Sequence, residues 1–148
     1  EEYITHLNIK MIWIETPTNP LLEIIPFKKL GELCKKYNKL LVVDNTFLTP
    51  IFQNPLDYNA DIVLHSISKY INGHSDIIMG GLMMNNKELY DNLKYLQNSL
   101  GVIPSPFDCY MVNRSIKTLD IRMKKHQHNA IYIAKKLHKH PKILKYWF

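Results

Sequence analysis

The sequence predicts an α/β fold, a parallel-rich sheet flanked by helices. Three observations carry this. Short apolar, β-rich runs recur at residues 9–14, 40–43 and 61–65; a lysine-rich amphipathic stretch separates the first two; and beyond Asn86 the hydrophobic period lengthens from two to about 3.6. A strand, a helix and a second strand at this spacing make a right-handed βαβ unit, because only a crossover through a helix brings the second strand back parallel to the first.

The first strand covers residues 9–14, Ile-Lys-Met-Ile-Trp-Ile, and ends at Glu15. The following Thr16-Pro17-Thr18-Asn19-Pro20 can neither continue a strand nor begin an ordinary helix, since its prolines lack the N–H that both ladders use. From Pro26, the apolar positions Phe27, Leu30, Leu33, Cys34 and Tyr37 fall on one helical face, with Pro26 suited to the first turn and Asn38 to the stop. Leu40-Leu41-Val42-Val43 lacks alternation, which marks a strand covered on both faces. Residues 61–65 repeat the strand pattern, and residues 80–84, Gly-Gly-Leu-Met-Met, are expected to close a further strand, giving a sheet of at least three or four members. Leu89, Leu93 and Leu96 then share a helical face before a break from Gly101 to Pro106. The apolar positions Tyr110, Met111, Ile116 and Leu119, followed by Met123, Ile131, Ile133, Ala134 and Leu137, fit one long helix or two, ended by Pro141.

A chain of 148 residues with 46% hydrophobic content supports one domain, or part of one. The expected division is a sheet-forming core over about residues 1–85 and a helical segment over 86–148 leading towards a further C-terminal domain. Both ends read as cuts in a longer protein: the chain opens on Glu1-Glu2 without Met and closes on Lys145-Tyr146-Trp147-Phe148, an aromatic group that water would not favour at a free terminus. The longest apolar runs are four or five residues, far short of a bilayer span. Cys34 and Cys109 are distant and lack Cys-x-x-Cys spacing, so a disulfide scaffold and a zinc ribbon are disfavoured and a reducing, cytoplasmic compartment is expected. Ten of the 19 basic residues lie from Arg114 onward, where Asp120 is the only acid. They are nearly all lysine, at helical spacing and without a base-stacking or base-reading motif, so they read as a solvated helix face and not as a nucleic-acid footprint.

In open α/β sheets ligands bind beyond the carboxyl ends of the strands, which directs attention to Asn19, Asp44 and the Ser66-Ile67-Ser68-Lys69 run. An acid directly after four buried apolar residues is costly to ionise unless a cation or several donors meet it. A protonated ring nitrogen would serve Asp44, as would a helix cap or an ion pair. Lys69 follows a strand-to-loop junction, where partial desolvation would free its amine to attack an aldehyde, although many lysines are simply surface residues. Ser66 and Ser68 precede it at short range, and small hydroxyls beside backbone N–H groups suit a phosphate.

Three runs, E-T-P-T-N-P (15–20), V-V-D-N-T-F (42–47) and H-S-I-S-K-Y-I-N-G-H-S-D (65–76), closely resemble the Cys/Met-metabolism, or trans-sulfuration, family of pyridoxal-phosphate (PLP) enzymes. The stretch L-Q-N-S-L-G-V-I-P-S-P-F-D-C-Y (96–110), with K-T-L (117–119) and R-M-K-K-H (122–126), extends the likeness over nearly the whole chain. The resemblance implies part of the large PLP-binding domain of the aspartate-aminotransferase fold type. It implies that Lys69 holds pyridoxal 5'-phosphate as a Schiff base and acts in catalysis, that Asp44 pairs with the pyridine nitrogen, that Asn19 bonds near the phenolic oxygen, that Thr46 packs below the ring and that Ser66 and Ser68 hold the phosphate. The second phosphate hydroxyl is often threonine in the family, so Ser68 keeps the hydroxyl and loses a methyl.

The activity so implied is a carbon–sulfur lyase cleaving cystathionine to cysteine, 2-oxobutyrate and ammonia, in a homotetramer with a small sulfur-containing amino acid as substrate. Members that carry out β-elimination, γ-replacement or methionine cleavage share these motifs and are alternatives. A truncated, catalytically incompetent assembly partner is the alternative of another class. The family's glycine-containing phosphate loop, its cofactor-stacking aromatic ring and its carboxylate-binding arginine have no match here, and neither Arg114 nor Arg122 lies in that last motif. His65 and His74 read as structural hydrogen-bonding residues, and the pairs His126/His128 and His138/His140 fall on different helix faces, so no metal site is expected.

Overall fold

The protein is described from a computed structural model covering residues 4–6 and 8–143. The expectations drawn from Glu1-Glu2 and from the closing Lys145–Phe148 cluster lie outside the described residues. Four strands, β1 (Met11–Glu15), β2 (Leu40–Asp44), β3 (Ile62–Ser66) and β4 (Gly80–Met83), form one sheet in the order β1-β2-β3-β4. The first three are mutually parallel and β4 runs antiparallel to β3. The register sets Glu15 beside Asp44 and Asp44 beside Leu64, so the carboxyl ends of β1, β2 and β3 open on one edge of the sheet.

The uninterrupted apolar run in β2 is explained by burial on both faces: Leu41, Val42 and Val43 are at most 2% exposed. On one face Leu41 and Val43 pack with Cys34, Ala60 and Val63, joined by Ile12, Ile14 and Leu30. Cys34 and Leu30 come from helix α1 (Phe27–Lys36), so the amphipathic face read from the sequence is the one that covers the sheet. Helix α1 stops where Asn38 adopts φ 51°, a left-handed conformation that asparagine tolerates, and Lys35 and Lys36 in its last turn suit the negative end of the helix.

Between β2 and β3 the chain forms the short helix α2 (Thr49–Phe52) and a 3₁₀ turn (Pro55–Tyr58). Both are shorter than the windows in which periodicity is visible, and the sequence reading did not anticipate them. Helix α3 (Lys87–Leu100) begins with the Asn86 side chain accepting the Leu89 N–H at 3.0 Å and ends at Gly101, φ 68°. Helix α4 (Pro106–Ser115) begins with Ser105 accepting the Asp108 N–H at 3.1 Å.

The one-or-two-helix question after Phe107 resolves as two helices: a 3₁₀ turn (Ile116–Thr118) joins α4 to α5 (Leu119–His138). In α5 only Leu119, Met123 and Ala134 are buried. Leu119 and Met123 form a second core with Ile71, packed against Ile51, Ile67 and Tyr70, which docks the start of α5 onto the turn after β3. The apolar spacing predicts burial for Ile116, Ile131, Ile133 and Leu137 as well; these are 40–54% exposed, the last three because the later turns of α5 extend past that core. No helix among the described residues is long and apolar enough to cross a membrane.

Candidate cofactor site

A cleft of about 770 Å³ opens at the carboxyl ends of the parallel strands, and Asn19, Asp44, Thr46, Ser66, Ser68 and Lys69 all line it. Every site residue singled out in the sequence is therefore brought to one place, although Asn19 and Lys69 stand far apart along the chain. Asn19 comes from the loop after β1, Asp44 and Thr46 from the end of β2, and Ser66, Ser68 and Lys69 from the end of β3 and its turn.

Each segment is tied to its neighbour by hydrogen bonds. The Thr46 N–H donates to Asp44 Oδ1 at 2.9 Å, closing a tight turn that aims the carboxylate. Thr46 Oγ1 in turn accepts the Ser66 N–H at 2.7 Å and so joins the ends of β2 and β3. Behind them, Gln53 Nε2 donates to both the Thr16 carbonyl (3.1 Å) and Asn45 Oδ1 (2.9 Å), while Asn45 Nδ2 returns a bond to the Gln53 carbonyl at 2.7 Å. Asn45 is 1% exposed, so this amide pair is a buried brace between the loops after β1 and β2. Sequence reasoning missed it; polar residues next to a motif give no sign of which remote amide they meet.

The Ser68 hydroxyl oxygen accepts the Met79 N–H at 2.9 Å, whereas it lies a long 3.4 Å from the Met79 carbonyl oxygen, the acceptor for its own proton. That leaves the proton as the part able to turn towards an anion in the cleft.

Glu15, Phe47, Tyr70 and His126 also line the cleft and were not selected from the sequence. Glu15, Phe47 and Tyr70 lie within the runs 15–20, 42–47 and 65–76, which was their available signal. His126, the last residue of the run 122–126, reaches the cleft from α5 with its ring 5.2 Å from that of Tyr70, a contact that the run itself does not specify. His74 is a structural hydrogen-bonding residue as expected, its Nδ1 2.7 Å from the Asn72 carbonyl and 3.4 Å from Ser115 Oγ. For His65 that expectation is corrected at one atom: the residue is 3% exposed and its Nδ1 has no hydrogen-bond partner among the described residues. Burial pushes the His65 pKa below its ordinary value, and the Asp44 carboxylate pulls it partly back.

An amine, a carboxylate and paired hydroxyls thus meet at the carboxyl ends of parallel strands, a set of groups suited to an aldehyde-bearing, phosphorylated ring. The family model for Cys/Met metabolism PLP-dependent enzymes matches residues 1–148, and the chain belongs to that family. It is 57% identical over 134 residues to a cystathionine gamma-lyase of Dictyostelium discoideum, covering 90% of this chain and 35% of that protein. It is 51% identical over 140 residues to a cystathionine beta-lyase of Coxiella burnetii, covering 94% and 36%. Among solved structures, cystathionine gamma-lyase from Lactobacillus plantarum complexed with L-serine superposes with a TM-score of 0.90 at 43% identity, over 92% of this chain and 36% of that one. The chain thus spans about a third of the length of these relatives. Its fold is part of the PLP-binding domain of the aspartate-aminotransferase type, and its family's cofactor is PLP.

The donor set fits that cofactor. An aldehyde needs an amine, a pyridinium needs an anion and a phosphate dianion needs donors; the cleft lining provides Lys69, Asp44 and the Ser66/Ser68 pair in that order.

Proposed function

We propose that this chain supplies the cofactor-holding part of a PLP-dependent carbon–sulfur lyase of trans-sulfuration, acting on cystathionine to give cysteine, 2-oxobutyrate and ammonia. The observation that carries this reading is the convergence of Asn19, Asp44, Thr46, Ser66, Ser68 and Lys69 on one cleft. When bound, PLP supplies an electron sink for the carbanions of amino-acid chemistry. Lys69 would hold it through its amine, and its side chain would also be the group that moves protons at the α and neighbouring carbons of the substrate. The Asp44 carboxylate would keep the ring nitrogen protonated. The Ser66 and Ser68 hydroxyls would donate to the phosphate, the Asn19 amide would bond near the phenolic oxygen, and Thr46 would pack below the ring.

The 57% identity to a protein named cystathionine gamma-lyase favours the γ-elimination reading. A beta-lyase at 51% makes β-elimination the second reading. On this reading the chain up to about residue 85 would serve as the sheet-bearing core of the PLP domain, and the part from about residue 86 as the helical segment leading towards a C-terminal domain. The working form is a cytoplasmic homotetramer, and the substrate is a small sulfur-containing amino acid.

Incubating the intact natural polypeptide with PLP and cystathionine and analysing the keto acid tests this. The expected product is 2-oxobutyrate, abolished in Lys69→Ala. Pyruvate in its place would move the assignment to β-elimination. Borohydride treatment that leaves Lys69 unlabelled would end the cofactor reading altogether.

A further inference from the structure

The turn that carries Lys69 is closed by its own backbone: the Lys69 N–H donates to the Ser66 carbonyl at 3.1 Å, the Asn72 N–H to the Ile67 carbonyl at 2.9 Å and the Gly73 N–H to the Lys69 carbonyl at 2.7 Å. The carbonyls of Tyr70 and Ile71 are left pointing out of the turn, and a single side chain meets both. Arg122 Nη1 donates to the Tyr70 carbonyl at 2.6 Å and Nη2 to the Ile71 carbonyl at 3.1 Å. The same guanidinium is also held to the junction that precedes α5, with Nη2 on the Ser115 carbonyl at 3.2 Å and Nε on Thr118 Oγ1 at 3.1 Å. Four bonds to four acceptors need the planar fork of arginine; a lysine ammonium is a compact point charge that cannot span them in the same geometry.

Gly73 is matched to this arrangement. A Cβ built there would lie 2.2 Å from Arg122 Nη1, and φ is +78°, so a side chain would be excluded both by the guanidinium and by the backbone conformation. One turn further along α5, the His126 ring lies against Tyr70, the residue next to Lys69. The packing of Ile71 on Leu119 and Met123 closes the remaining side of the contact.

Resting on the PLP reading above, we propose that Arg122 is a positioning residue for Lys69: by clamping the two carbonyls that follow it, Arg122 fixes the turn so that the lysine amine is presented to the cofactor aldehyde in the cleft. Misplacing a reacting group by about 1 Å can cost on the order of a hundredfold in rate, so a clamp on the next two residues has leverage that its distance from the chemistry would not suggest.

The test uses the intact natural polypeptide, PLP and borohydride, and reads the rate at which a borohydride-stable label appears on Lys69, quantified by peptide mass spectrometry. Arg122→Ala is compared with Arg122→Lys, with far-UV circular dichroism as the measure of folding. The expected result is a loss of about ten- to a hundredfold in labelling rate for Arg122→Ala, a smaller loss for Arg122→Lys, and recovery of the Ala variant when guanidinium ion is added at low millimolar concentration. Folded variants that label at the wild-type rate overturn the proposal. So does a slowed Ala variant that guanidinium does not restore, or failure of both variants to fold, since either makes Arg122 a structural residue only. Absence of any label on Lys69 in the unaltered protein is a different result, because it removes the PLP reading itself.

Discussion

The hydroxyl oxygen of Thr46 accepts the backbone N–H of Ser66 at 2.7 Å, and with the Asn45 N–H on the Leu64 carbonyl at 2.9 Å this bond fastens the segment just after Asp44 to the strand that leads to Lys69. Two parallel neighbours in a sheet share ladder bonds only along their length. Where the ladder stops, a side chain has to hold their tips together, and here that side chain lines the cleft.

Replacing Thr46 with Val keeps the shape and removes the acceptor, leaving the Ser66 N–H without its partner. The expected cost is about 1 kcal/mol of stability, with weaker PLP binding in a protein of unchanged circular dichroism. Thr46→Ser, which keeps the oxygen, should retain most of both. Equal urea midpoints for Thr46→Val and the unaltered protein would remove the joining role.

Asp44 does two separable things. Its Oδ1 accepts the Thr46 N–H, a task an asparagine oxygen can perform, and its charge is the part that a ring nitrogen would need. Asp44→Asn should therefore stay within about 1 kcal/mol of the unaltered stability while binding PLP at least roughly tenfold more weakly; Asp44→Ala should lose about 1 kcal/mol or more as well. Isothermal titration and urea denaturation distinguish the two effects. Undiminished PLP affinity in Asp44→Asn would contradict the ion pairing.

His65 gives an acid-side prediction. Burial lowers its pKa in the folded protein and the Asp44 carboxylate only partly opposes this, so the folded state keeps the ring neutral at pH values where the unfolded chain has already bound a proton. Its contribution is fully present above the ordinary value of 6.5 and is lost as pH falls below that towards the lowered folded value. In urea titrations run stepwise downward from about pH 7, the unaltered protein should lose stability more steeply than His65→Leu. Parallel curves for the two proteins would rule the effect out.

Gly31 is a contest between propensity and packing. Alanine in mid-helix gains about 1 kcal/mol over glycine. In α1, however, the added Cβ would lie 2.2 Å from the Tyr58 carbonyl oxygen, in the 3₁₀ turn whose tyrosine ring also meets Phe27 and Lys28. Backbone cannot move aside as a flexible side chain can, so the clash wins and Gly31→Ala should be roughly 1 to 2 kcal/mol less stable. A thermal midpoint that rises in this variant would show that α1 can shift away from the turn.

The three parallel strands, the covering helix and the polar residues that come to line the cleft were legible in the sequence alone. Leu40–Val43 is apolar without alternation because both its faces are buried, and the polar residues just after each run mark where parallel strands end. These are local signals, written in neighbouring residues. Only the tertiary structure decided which separate groups meet: the Gln53 amide braced between Asn45 and the Thr16 carbonyl, the approach of His126 to Tyr70, the orphan Nδ1 of His65, and the guanidinium of Arg122 in the space beside Gly73. A hydrogen bond or a steric exclusion between residues remote from one another in the chain leaves no periodicity and no composition behind, since it depends on how packed elements finally lie against one another.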